Sequence, residues 1–332
     1  MNNLNFFNFS LFLIVSFIVM KISFIILKKY QIVDNDDSLK LNLGKPIVTS
    51  LGISFLFILF FNISYLLFTK DFGEILPNRF YIFFISIFVL TLLSFKDDIK
   101  DIDPKIRLIV QLIFVYFSLT NLELQNLNLP LKLIIFLTLV VWVYLINITN
   151  FIDGSDGHCG IHALFLMIGI LYVSYNENIY YFSTLLAFIL VPILLIFLIF
   201  FNRPPAISFM GDTGSIFLGY IVGYMILERI FMQKDFFIIS LFLYPILDCS
   251  INLIKKTING YYPWARLGDY FFLIPIKNGH NHKKVFFISI VYNITNLFFY
   301  IMQNNYSKLF FICNLVISLI LIFYYKSHKN EK

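Results

Sequence analysis

Eleven stretches of this 332-residue chain are apolar enough, for long enough, to cross a lipid bilayer, and that fact restricts its architecture more than any other. Spanning the hydrocarbon core takes roughly 17–25 apolar residues per helix. Such runs fall near 5–27, 51–69, 80–95, 106–121, 131–149, 161–175, 179–201, 214–232, 236–254, 284–301 and 308–325. Backbone amides in lipid must be satisfied internally, so these runs imply helices. The expected fold is therefore all-α and polytopic, with 10–11 transmembrane helices in one membrane-embedded domain covering 1–332. Hydrophobic residues make up 59% and charged ones 13%, against roughly a quarter charged in a soluble domain. The first run has no basic leader and no small-residue cleavage site, so it reads as a retained helix.

Charge asymmetry orients the bundle. Loops after odd-numbered spans, with the C-terminal tail, hold 18 Lys and Arg, whereas the opposite loops hold 6. The positive-inside rule makes the first set cytoplasmic. The net charge of +6 is mostly this bias, so it points to the lipid bilayer as partner and not to nucleic acid. Three scattered cysteines show no metal-ligand spacing.

Every polar cluster of interest falls on that one side, in loops 28–50, 95–107, 147–160, 202–215 and 255–284. A transporter would more often bury its ionisable groups near the bilayer midplane, where only Lys21 and Asp248 come close. The third span ends in Asp97 and Asp98, within a run of alternating charge from Lys96 to Arg107. Adjacent carboxylates repel unless a cation or proton intervenes, which suits Mg²⁺ or proton acceptance; a solvated loop is the plainer reading. Pro104 would open the next helix, with Asp103 as its cap. After the fifth span, Asn147 and Asn150 share a helix face, followed by Asp153-Gly154 and Asp156-Gly157. Amides can read a nucleobase, and acids can bind ribose or metal.

The third cluster, Phe209-Met210-Gly211-Asp212-Thr213-Gly214-Ser215, opens the eighth span. A carboxylate in the membrane costs roughly 2.5–3.5 kcal/mol at a helix centre and less near its end. The exposed amides of a helix start favour phosphate, and Asp212 could equally be an N-cap. Last comes Gly279-His280-Asn281-His282 beside Lys283 and Lys284, suited to a diphosphate. Zinc would need more ligands. His158, His162 and His328 read as loop or solvent-facing residues, and Asp248 as an acid paired with Lys255 or another helix.

In this order, the four clusters resemble those of the polyprenyl-phosphate N-acetylhexosamine-1-phosphate transferases, the glycosyltransferase family 4 enzymes that include the lipid I translocase. The resemblance covers roughly residues 30–300. It implies attack by the phosphate of undecaprenyl phosphate on the β-phosphorus of a UDP-N-acetylhexosamine, releasing UMP and starting a surface glycan at the bacterial inner membrane. It implies Asp212 as main Mg²⁺ ligand (Mn²⁺ being the alternative ion), Asp97 as base or nucleophile, and Asp98 assisting at metal or phosphate. It places Asn150 and Asp156 on uridine, Phe209 on uracil, and His280 and His282 on the diphosphate or sugar. Asn147, Asp153, Gly211, Gly214 and Ser215 join the substrate-binding set, and Lys45 is a further contact candidate. A homodimer is compatible with this reading. There are departures. Leu51 replaces a family glycine, Thr49 stands where many members have Arg, and Lys277 replaces an acid. The third His of the lipid I enzyme is absent, which argues against UDP-MurNAc-pentapeptide. The rival readings are a transporter or flippase of lipid-linked sugars, and a CDP-alcohol phosphotransferase, whose helix-borne Asp motif is not found.

Overall fold

The computed structural model describes residues 6–34, 46–69, 80–124, 130–262, 270–302 and 307–328. All eleven expected spans are helices: α1 (Phe6–Lys29), α2 (Ile53–Phe68), α3 (Phe80–Ile99), α4 (Pro104–Ser118), α5 (Leu131–Phe151), α6 (His158–Glu177), α7 (Phe182–Ile196), α8 (Gly211–Gln233), α9 (Leu243–Ile258), α11 (His282–Ile301) and α12 (Ser307–Ser327). A short α10 (Ile274–Lys277) lies in the loop before α11. Among the described residues, nine helical stretches are long and apolar enough to cross a membrane. The exceptions are α2, an apolar helix of 16 residues, and α4, of 15. The chain is an all-α polytopic membrane protein. Strand is confined to β1 (Val33–Asp34) and β2 (Ile47–Val48), which pair antiparallel.

Helix α8 is the axis of the bundle, buried along nearly its whole length. Lipid gives helices no hydrophobic reason to associate, so contact depends on small residues and on hydrogen bonds between helices. Both operate here. On α8, a Cβ at Gly219 would lie 2.8 Å from Ile146 Cα, and one at Gly223 would lie 2.3 Å from the Trp142 ring. These glycines let α5 approach backbone to side chain, and Trp142 Nε1 donates to the Tyr220 carbonyl at 2.8 Å. A buried polar chain ties α8 to α4 and α3: Tyr220 Oη donates to Ser118 Oγ (2.6 Å), which donates to Ser86 Oγ (2.9 Å).

Two helices begin or end beyond their apolar runs, and both shifts matter for the site. Helix α3 continues to Ile99, so Asp97 and Asp98 are helical. Helix α6 starts at His158, which corrects the reading of two histidines: His158 and His162 are fully buried, not loop or solvent-facing. His158 Nδ1 meets Ser289 Oγ at 2.7 Å and His162 Nδ1 meets Asn293 Nδ2 at 3.1 Å, so α6 and α11 are joined by two polar rungs.

Gly219→Val should force α5 away from α8 and cost about 1–3 kcal/mol, the usual range for overpacking. Thermal melting of the detergent-solubilised protein measures it, and an unchanged midpoint would mean that the pair has room to spare.

Candidate active site

The loop after α1 and the loop before α8 run side by side before either enters a helix. Phe209 N donates to the Val48 carbonyl (2.8 Å), Leu51 N to the Phe209 carbonyl (3.1 Å) and Gly52 N to the Met210 carbonyl (3.0 Å). They come so close that a Cβ on Gly52 would sit 2.1 Å from Gly214 Cα. Only glycine fits there. Lys45, just upstream, lies outside the described residues.

Asp98 closes the junction. Its Oδ1 accepts from Asp212 N (2.8 Å), and its Oδ2 accepts from Thr213 N (3.2 Å), Thr213 Oγ1 (2.5 Å) and Ser50 Oγ (2.8 Å). Helix α8 is thus capped by an acid from α3. Its own N-cap position is Met210, which makes no side-chain bond, and Asp212 sits in the first turn. Gly211 has φ +70°, and a Cβ there would meet Asp98 Oδ2 at 2.4 Å. Four donors occupy Asp98, so its present work is positional.

Asp97, the next residue back, points elsewhere. Its Oδ1 accepts from Ile102 N (2.6 Å), which closes the turn after α3, and its Oδ2 pairs with Arg107 Nη1. The same guanidinium nitrogen donates to Asp212 Oδ2 at 2.5 Å. Asp97 and Asp212, 115 residues apart in sequence, therefore share one cation. Arg107 stands one turn into α4, whose N-cap is Asp103 accepting from Lys105 N (2.8 Å), with Pro104 in the first position as the sequence predicts. Sequence reasoning did not single out Arg107. The available signal was its spacing: Arg107 and Gln111 are four apart on one face, and Gln111 Oε1 accepts from Asn147 Nδ2 at 2.8 Å. Asn147 thus braces the helix that presents Arg107. Asn150 Nδ2 donates to Ser215 Oγ at 3.1 Å, tying the end of α5 to the first turn of α8.

The loop between α5 and α6 completes the acid group. Asp153 is half-buried, and burial pushes its carboxyl well above the usual range, with Asp212, Asp98 and Asp156 adding like charge. Burial also raises Asp156, opposed by His282 and by the Ala206 amide, which donates to Asp156 Oδ2 at 3.0 Å. His282 Nδ1 lies 3.3 Å from Asp156 N and 3.4 Å from Asp156 Oδ1, so the His-x-His motif does reach this loop. His280 packs edge-on to His328, 5.1 Å between ring centres. Phe209 is partly exposed beside the acids' helix junction. Asp248 is fully buried and accepts from Tyr244 Oη (2.8 Å), Asn252 Nδ2 (2.7 Å) and the amides of Phe271 (3.0 Å) and Phe272 (3.4 Å). It anchors the returning arm of loop 255–284. Among the described residues no three His, Cys, Asp or Glu side chains form a metal cage.

Five acids, an arginine and the start of α8 are thus gathered at one end of a bundle of membrane helices. Residues 80–229, which carry most of these groups, match the model of glycosyl transferase family 4. An undecaprenyl-phosphate alpha-N-acetylglucosaminyl 1-phosphate transferase of Thermotoga maritima is 28% identical over 251 residues, 74% of this chain and 73% of that protein. A probable undecaprenyl-phosphate N-acetylglucosaminyl 1-phosphate transferase of Bacillus subtilis is 27% identical over 53% of this chain and 52% of its own length. A phospho-N-acetylmuramoyl-pentapeptide-transferase of Leuconostoc citreum is 33% identical over 48% of each. The chain thus spans about half the length of two of these relatives.

The raised Asp153 gives a signed pH dependence. An unfolded Asp titrates near 3.9, so between that value and its higher folded value the native state holds more protons. Stability then falls as pH rises through the window. Asp153→Asn should remove this fall: the unliganded variant melts higher than the parent at about pH 8, and the gap closes towards about pH 4. A gap independent of pH would show that Asp153 ionises freely.

Proposed function

We propose that this protein transfers HexNAc-1-phosphate from a UDP-N-acetylhexosamine to undecaprenyl phosphate. It releases UMP and forms a polyprenyl-diphosphate-linked sugar, the first membrane step of a cell-surface glycan. The observation that carries the reading is the meeting of Asp97 and Asp212 on Arg107 at the start of α8. The names of the relatives support the acceptor and the transferred group.

Phosphoryl transfer asks for in-line positioning and charge neutralisation more than covalent chemistry. In the step proposed, an acceptor phosphate oxygen bonds to the β-phosphorus, the bond from that phosphorus to the bridging oxygen breaks, and the electron pair leaves with UMP. Asp97 takes any proton the lipid phosphate carries and turns its charge away from the attacking oxygen, towards Arg107. Arg107 faces the charge that develops on the diphosphate. Asn150, Asp156 and Phe209 hold uridine, and His280 and His282 hold the diphosphate or sugar. The donor set fits Mg²⁺: two carboxylates already converge on one positive charge, and Mg²⁺ binds through one or two carboxylates with substrate phosphates completing its shell. Asp212, with Asp97 beside it, would hold the ion, which would neutralise the diphosphate. Asp98 keeps the capping role its four donors give it. The Lys and Arg asymmetry supports a site on the cytoplasmic face of a bacterial inner membrane, where nucleotide sugars are made.

Assays of purified protein with undecaprenyl phosphate and a panel of UDP-HexNAc donors test this. UMP should appear with at least one donor and require a divalent cation. Asp212→Asn and Asp97→Asn should each lose about a hundredfold or more in kcat, the scale for removing a group that acts on transition-state charge. Asp97→Asn should keep donor binding; an equal loss of binding would remove its chemical role. No UMP with any donor would reject the reading.

A further inference from the structure

His328, one residue past the end of α12, was read from sequence as solvent-facing, and the structure overturns that: it is 5% exposed. It touches both ends of the Gly279–Lys283 arc. Its backbone carbonyl accepts from Asn278 Nδ2, and its Nε2 lies 2.7 Å from Lys284 Nζ. Between those points, the ring of His280 packs against it at 83°. The tautomer follows from the remaining contact. Nδ1 lies 2.9 Å from the Tyr324 carbonyl, which can only accept, so Nδ1 carries the hydrogen and Nε2 offers its lone pair to the Lys284 ammonium. A second set of contacts fixes His328 itself. Helix α12 is held to α11 by Tyr292 Oη with Ser318 Oγ at 2.8 Å, and the Tyr324 ring meets His328 at 4.8 Å.

Local bonds shape the arc: Gly279, at φ +90°, donates its N–H to the Ile276 carbonyl (2.9 Å), His280 N to the Pro275 carbonyl (3.0 Å), and Asn281 caps α11 by accepting from Lys283 N (3.1 Å). Among the contacts described, those of His328 tie this turn to α12. Two residues upstream of the pinned Lys284, His282 meets Asp156 and Ser155. One side chain thus bridges the far end of the chain to the motif read as contacting the donor.

We propose that His328 is a positioning residue for the donor site, holding the Gly279–Lys283 arc so that His280 and His282 meet the nucleotide-sugar diphosphate. This rests on the function proposed above. The dependence is specific: removing the Nε2 acceptor frees Lys284, and the arc then samples orientations in which His282 leaves the Asp156 loop. Asp97, the group proposed to act on the acceptor phosphate, is not among the residues His328 contacts.

Two measurements on the full-length protein in detergent separate this inference from its premise. Hydrogen exchange over residues 278–284 should rise in His328→Ala while residues 202–216 keep parental rates. Donor kcat/KM should fall about tenfold, within the range that small misplacements cost, with the KM for undecaprenyl phosphate unchanged. His328→Gln, whose amide oxygen can accept from Lys284, should recover most of the loss. Lys284→Met, which leaves His328 in place, should reproduce the exchange signature if His328→Ala fails to fold. Parental exchange in both variants would overturn the inference whatever the activity. So would equal losses on donor and acceptor that Gln does not rescue. If His282→Ala retains parental donor kinetics, the premise about the motif fails, and the inference with it.

Discussion

The carboxylate of Asp98 holds the site together. It accepts from the first amides of α8, from Thr213 Oγ1 and from Ser50 Oγ, joining α3, α8 and the loop before α2 through one side chain. Helix starts leave amides without intrahelical partners and carry partial positive charge, so an acid there is favoured twice. With this cap supplied by α3, Asp212 does not have to cap its own helix and can turn outward. The contact between Gly52 and Gly214 sets the spacing that makes the arrangement possible. One residue back along α3, Asp97 points to Arg107 instead, so adjacent acids face different partners.

The acid group is an expensive feature that the fold tolerates. Asp212, Asp98 and Asp156 add like charge around Asp153, whose carboxyl burial already pushes up, and Asp212 adds to the rise that burial gives Asp98; the Arg107 guanidinium pairs with Asp97 and Asp212 and offsets part of that charge. Such local conflicts are where function departs from stability. The repulsion among such carboxylates is relieved when a cation or a proton comes between them. The same logic explains why the loop carrying the histidines is tethered from outside: Asp248 fixes its return at Phe271 and Phe272, and His328 its last turn.

Much of this was legible in sequence because it is local. Apolar length showed eleven helices, and Asp103-Pro104 showed where α4 begins. The four acid and histidine clusters contain groups that the fold brings together at one end of the bundle. Long-range pairing was not legible. Arg107 lay within a run of alternating charge, and nothing nearby indicates that its partners are Asp97 and an acid 105 residues onward. His158 and His162 looked peripheral because their helix begins before its apolar run. His328 looked peripheral because a position near the end of a chain says nothing about what packs on it. Asp98 carried the signal of an acid at a membrane edge, but its use as another helix's cap requires the fold.

The most direct measurement follows the phosphorus. UDP-N-acetylhexosamine labelled with ³²P at the β position, given to purified protein and undecaprenyl phosphate, should pass its label to the organic phase as a sugar-diphosphate lipid while UMP stays unlabelled. Label retained in water, or lipid that gains sugar without phosphorus, would contradict transfer of a sugar phosphate at this site.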